Sequence, residues 1–130
     1  MKEENRMDKE IEVNGKKYVL KSSIKNNVRA NPKKGMEYCI IRTYSAGVFA
    51  GWINRKVKGK INTIFDSRRI WYWKGAASLS QLANDGTKLP NECKFSQAVS
   101  ETDLTEIIEI IPCTEKAQNI ILNVKVWENE

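Results

Sequence analysis

Between Ser67 and Gly75 the chain reads SRRIWYWKG: Arg68 and Arg69 lead into Trp71, Tyr72 and Trp73, and Lys74 follows. In an extended strand Arg69, Trp71 and Trp73 project from one face, and Arg68, Ile70, Tyr72 and Lys74 from the other. Indole rings stack on nucleobases for roughly 1–3 kcal/mol each, and a guanidinium grips phosphate as a two-pronged fork. The pattern suits a flat, anionic ligand such as a nucleotide. It also suits a sheet that buries tryptophan for its packing area, so core strand and ligand wall both stay open. A second run, RTYSAGV at 42–48, sets Arg42 and Tyr44 on one strand face. The small residues Ser45, Ala46 and Gly47 follow, and exposed backbone amides beside a cation can form an anion nest. A tight strand connection is the plainer reading of that run.

Other chemistries are poorly represented. The chain has no histidine, which removes Ser-His-Asp and Cys-His nucleophile arrangements. Cys39, Cys93 and Cys113 are widely spaced, with no CxxC pair for zinc or for redox exchange. They read as reduced, buried thiols. No GxxxxGK cradle for phosphate is present, and no carboxylate pair stands in a context that would raise its pKa. Binding without catalysis, metal or cofactor is the expectation.

Charge is unevenly spread over the 130 residues, whose net charge is +6. Residues 1–35 carry ten Lys/Arg and five Asp/Glu, residues 36–99 carry ten and four, and residues 100–130 carry two and seven. A basic body with an acidic tail suits an anionic partner or contact between subunits, and it also serves solubility. No apolar run approaches the roughly 20 residues needed to span a bilayer. The charged opening MKEENRMDKE lacks the apolar core of a signal peptide. A cytoplasmic protein without membrane contact is expected.

The elements that must position these residues are mostly strands. EIEVNGKKYVLK at 10–21 centres on Asn14-Gly15, a strong hairpin signal. A polar linker broken by Pro32 follows, so residues 1–35 read as a hairpin arm and linker, and 36–130 as a single ligand-binding domain. Strands are expected at 37–44, at 48–54, at 61–65 and, after a turn at Asp66-Ser67, at 68–73. Ser78 caps a short helix that Gly86 stops. CKFSQAV reads as a short strand carrying Lys94 and Phe95, LTEIIEIIP as a strand ending at Pro112, EKAQNIIL as a helix capped by Thr114, and VKVW as a last strand. The fold class is α+β, mostly antiparallel sheet with two short α-helices.

Three stretches, RTYSAGVFAGWI, RRIWYWKGAASLSQLANDGTKLPNECKFS and TEIIEIIPCTEKAQNIILNVKVW, resemble a family of small proteins of tailed bacteriophages and prophages. That family includes the anti-Thoeris sponge proteins of the first type. The resemblance covers about residues 37–127 and leaves out the N-terminal arm. It implies a Greek-key-like sheet assembled as homodimers or hexamers, working in the host bacterial cytoplasm during infection. It implies a non-enzymatic counter-defence role: intact capture of the cyclic ADP-ribose isomer made by Thoeris TIR enzymes, or of a CBASS cyclic oligonucleotide. No stable nucleic-acid partner is expected on that reading. The alternative is a basic phage accessory protein that binds nucleic acid or inhibits a host protein. Chemistry then nominates Trp71, Trp73 or Phe95 to stack on the base. Arg42, Arg68, Arg69 and Lys94 would hold the pyrophosphate, with Tyr44 beside them, and Ser45 with nearby amides would contact ribose or phosphate.

Overall fold

A computed structural model describes residues 28–57 and 59–128. The hairpin expected at 10–21 lies outside these residues. The order is β1 (Glu37–Thr43), β2 (Val48–Ile53), β3 (Asn62–Tyr72), α1 (Leu79–Asp85), a single 3-10 turn (Pro90–Glu92), β4 (Lys94–Phe95), β5 (Val99–Leu104), β6 (Ile107–Pro112) and α2 (Glu115–Asn123). The fold is α+β, with a six-stranded antiparallel sheet and two α-helices among the described residues. No helix among the described residues is long and apolar enough to cross a membrane.

β1, β2 and β3 form a meander, and β6 returns to lie beside β1, the Greek-key order. β5 pairs with β3 at the opposite side. Only Thr105 and Glu106 separate β5 from β6. In a flat sheet these two strands would lie four spacings apart, about 19 Å, whereas the link reaches no more than about 11 Å between Leu104 and Ile107. The sheet therefore curls into a half-barrel, and one bent stretch of chain pairs with both of its sides.

Curling gives the sheet two buried faces, which is why β1 and β2 read as continuous apolar runs. The concave face encloses Cys39, Ile41, Phe49, Ile53, Ile64 and Leu104. The convex face sets Tyr38, Ile40, Ala50, Trp52 and Ile70 against Leu82 and Ala83 of α1 and Ala117 and Ile121 of α2. Ser78 caps α1 by accepting from the Gln81 amide at 3.1 Å. Thr114 caps α2 by accepting from the Ala117 amide at 3.0 Å. Its hydroxyl also donates to the Asn84 carbonyl at 2.6 Å, tying the end of α1 to the start of α2. Part of the expected linker joins this body: the Ala30 amide donates to the Cys113 carbonyl and the Glu115 amide to the Val28 carbonyl.

Several expectations change. Asp66-Ser67 is not a turn between two strands but a β-bulge inside the single strand β3. Trp52 pairs with Phe65 and Ala50 with Arg68, so Gly51 faces both Asp66 and Ser67. Asp66 takes up the extra residue at φ 47°. A Cβ on Gly51 would sit 2.7 Å from the Ser67 Cβ, so the partner strand must be bare there. The bulge reverses which side chains face which way. Ile64 points to the concave core and Phe65 to the convex one, but beyond the bulge Arg69 lies over concave Phe49 and Ile70 joins the convex core. CKFSQAV contributes only Lys94–Phe95 as strand, with β5 beginning at Val99. VKVW makes no full strand: Val126 forms one isolated parallel bridge to Phe95.

Candidate functional site

The two arginines of the central motif have opposite environments. Arg68 is buried at 4% exposure. Its Nε donates to the Ser96 carbonyl at 2.7 Å and its Nη1 to the Ile121 carbonyl at 2.8 Å, at the C-terminal end of α2. The guanidinium also lies 5.4 Å from the Phe95 ring. Burial lowers its pKa from the ordinary value. Arg68 is therefore a structural clamp between β3, the segment after β4 and α2, and it leaves the set of expected phosphate contacts. Phe95, fully buried beneath it, leaves the set of stacking platforms.

Arg69 faces out. Its guanidinium rests 4.6 Å above the Phe49 ring, which supports the plane of the fork and leaves its N–H edge available. No carboxylate pairs with it among the described residues. The neighbouring backbone is fixed by Ser96, whose hydroxyl accepts from the Arg69 amide at 2.7 Å and whose own amide donates to the Arg69 carbonyl at 2.9 Å.

Trp71 and Trp73 also part company. Trp71 is 65% exposed. Trp73 lies beyond the end of β3, packs on the convex core, and donates its indole N–H to the Ala76 carbonyl at 3.2 Å. The expected alternation fails here because the β3–β4 register shifts between Ile70 and Tyr72. That leaves Tyr72 exposed as well. Lys74, past the strand end, pairs with Glu92 at 3.2 Å.

The partner of Trp71 is Trp127, outside the residues expected at the site. The chain after α2 runs alongside β4, and the Trp127 amide donates to the Phe95 carbonyl at 2.9 Å. This strap places the Trp127 ring 6.5 Å from that of Trp71, the planes 10° from parallel. Lys94 lies 5.1 Å from the Trp127 ring and 6.0 Å from that of Tyr72. Arg69, Trp71, Ser96, Gln97, Val126, Trp127 and Glu128 together line a groove of about 460 Å³. Its size falls in the range of small-ligand sites, roughly 300–1,000 Å³. The motif VKVW offered one signal for Trp127, a tryptophan in an otherwise polar tail, but nothing in its spacing pointed to Trp71.

The second expected cluster lies beside this groove rather than in it. The turn after β1 is closed by the Thr43 amide and hydroxyl, which donate to the Gly47 carbonyl at 3.0 and 2.8 Å. A Cβ on Gly47 would meet the Arg69 side chain at 4.0 Å, so the two sequence motifs do adjoin. Arg42, however, is held by Glu109 at 2.8 Å, and the Ser45 hydroxyl donates to Glu106 at 2.7 Å. The Tyr44 amide is taken by the Glu106 carbonyl, whereas its ring is 77% exposed. Two carboxylates on or beside β6 thus occupy the groups expected to meet an anion, and the turn has one fewer amide for a nest.

Residues 36–121 match the model of a family described as a domain of unknown function, DUF6948. The chain belongs to that family. No curated protein and no solved structure matches it. The family segment contains Arg69, Trp71, Lys94, Ser96 and Gln97, while the strap bearing Trp127 lies just beyond it. No cluster of three or more metal-ligating side chains occurs among the described residues.

Proposed function

We propose that this protein captures a cyclic nucleotide messenger, of the cyclic ADP-ribose or cyclic oligonucleotide kind, and holds it without chemical change. The observation that carries the reading is the groove in which near-parallel Trp71 and Trp127 stand beside Arg69, with Lys94 outside its lining but 5.1 Å from the Trp127 ring. Rings supply stacking area for a base, and the supported guanidinium with the lysine supplies countercharge for phosphate. The sequence resemblance to phage sponge proteins points the same way and supplies the biological setting: counter-defence in an infected bacterial cell. Pairing of two or six copies, which the same resemblance implies, would close a groove that is open on one side in the single chain. Capture without turnover demands tight binding, and nanomolar affinity corresponds to about −12 kcal/mol.

The test is calorimetric titration of the purified chain with cyclic ADP-ribose isomers and cyclic di- and trinucleotides, followed by heat denaturation and analysis of the released ligand. Sub-micromolar binding and recovery of intact ligand support capture. Absence of binding by every member of the panel, or recovery of fragments only, overturns it.

A further inference from the structure

We infer that the Trp71–Trp127 slot reads adenine: one purine ring lies between the two indoles, Gln97 pairs with its N6–N7 edge, and Arg69 takes the attached phosphate. The inference rests on the nucleotide-capture reading and assigns it a base and a binding mode. Two observations carry it.

The first is the ring spacing. Rings in direct contact have centroids about 4.5–7 Å apart, with 6.5 Å near the wide end. A third ring held between two others needs about 7 Å, or two carbon–carbon contacts of about 3.5 Å. The centroid distance is the most that the perpendicular gap can be, so the slot falls at least about 0.5 Å short of that value. The 10° angle makes the two planes near-parallel, and both rings line the groove. Trp127 sits on a strap whose pairing with β4 is one isolated parallel bridge, Val126 to Phe95, to which the Trp127 amide hydrogen bond belongs, so an outward shift of the strap admits the ring.

The second is the polar lining. Among the side chains around the groove, Gln97 alone carries a carboxamide. A carboxamide offers a donor and an acceptor side by side, the complement of adenine N7 and N6–H₂ and the mismatch of guanine N7 and O6. Gln97 also lines the adjoining cavity of about 190 Å³ that it shares with Arg69 and Phe49. Gln97 and Arg69 therefore both line each of these two spaces. Glu128, on the strap at the rim, adds an acceptor for a ribose hydroxyl and repels phosphate, so the phosphate is directed toward Arg69.

The experiment titrates the full chain with AMP, GMP and ribose 5-phosphate while following tryptophan fluorescence. Insertion of a purine between two indoles should quench emission, and AMP should bind about tenfold or more tightly than GMP. Gln97→Ala should bring the AMP:GMP ratio close to one without loss of quenching. Trp127→Ala should weaken AMP binding about tenfold or more, and Trp127→Phe should restore most of it. Equal affinity for AMP and GMP, or a ratio unchanged in Gln97→Ala, overturns the inference. So does cyclic-nucleotide binding that Trp127→Ala leaves intact, although capture itself would then stand. AMP-selective quenching without binding of any cyclic messenger would keep the adenine slot and refute the messenger reading.

Discussion

Arg68 and Arg69 are neighbours in sequence, yet one is embedded and the other presented. Arg68 is held by internal contacts: the Ser96 carbonyl, the Ile121 carbonyl at the end of α2, and the Phe95 ring. Around Arg69 the contacts come from one side only, leaving the guanidinium edge open to the groove. Trp73 and Trp71 repeat the contrast, the first packed and hydrogen-bonded, the second exposed. The lesson is that residue type does not distinguish scaffold from site here. Position relative to the irregularities of β3 does.

The sharpest way to break this contrast is a pair of alanine substitutions. Arg68→Ala leaves buried carbonyls without their donor and should cost about 3–5 kcal/mol in urea denaturation. Arg69→Ala should stay within about 0.5 kcal/mol of the parent stability while weakening nucleotide binding about tenfold or more. Equal destabilisation by both would erase the distinction. Next in size, Trp73→Ala should lose about 2–4 kcal/mol of stability and Trp71→Ala less than about 1 kcal/mol. Nucleotide affinity in the same series should fall mainly with Trp71.

The internal region should also show itself at high pH. Burial pushes the Cys39 thiol up to about 11 and the Cys113 thiol up to about 12. An unfolded thiol ionises near 8.5. Below that pH both states hold the proton and stability is undiminished; above it the unfolded chain loses the proton first. Stability should therefore fall from about pH 9, the two thiols adding to the fall up to about pH 11–12, and the buried Tyr38 hydroxyl, which burial also pushes far up, carries it further. Replacing both thiols by alanine should make that limb shallower relative to neutral pH, leaving the part due to Tyr38, whatever it does to absolute stability. Smaller still, Tyr38→Phe should stabilise by about 1 kcal/mol, because the buried Tyr38 hydroxyl has no hydrogen-bond partner among the described residues. Least of all, Arg42→Ala breaks an exposed ion pair with Glu109 and should cost under about 1 kcal/mol, less at high salt.

Much of the scaffold was legible because it rests on local signals. Ser78, Gly86 and Thr114 announce the helix ends, and the apolar runs at 37–44 and 48–54 announce β1 and β2. The site was only half legible. Arg69 and Trp71 were visible as a cation and a ring two residues apart, and strand alternation gave them one face. Arg68 and Phe95 were misassigned because burial of a cation depends on carbonyls that arrive from residues 96 and 121. Arg42 and Ser45 were expected to be available because Glu109 and Glu106 lie more than sixty positions away in sequence. Trp127 meets Trp71 only through the pairing of the strap with β4, a contact between distant segments that no periodicity encodes.

The bulge at Asp66 has a consequence for how this protein can change. Substitutions downstream of it alter one side chain at a time. Loss of a single residue at the bulge instead rephases the remainder of β3, sending Arg69 and Trp71 toward the helices and Arg68 and Ile70 toward the opposite face. Amino-acid replacements can therefore retune the groove gradually, whereas a one-codon deletion at this point exchanges binding surface and core in one step.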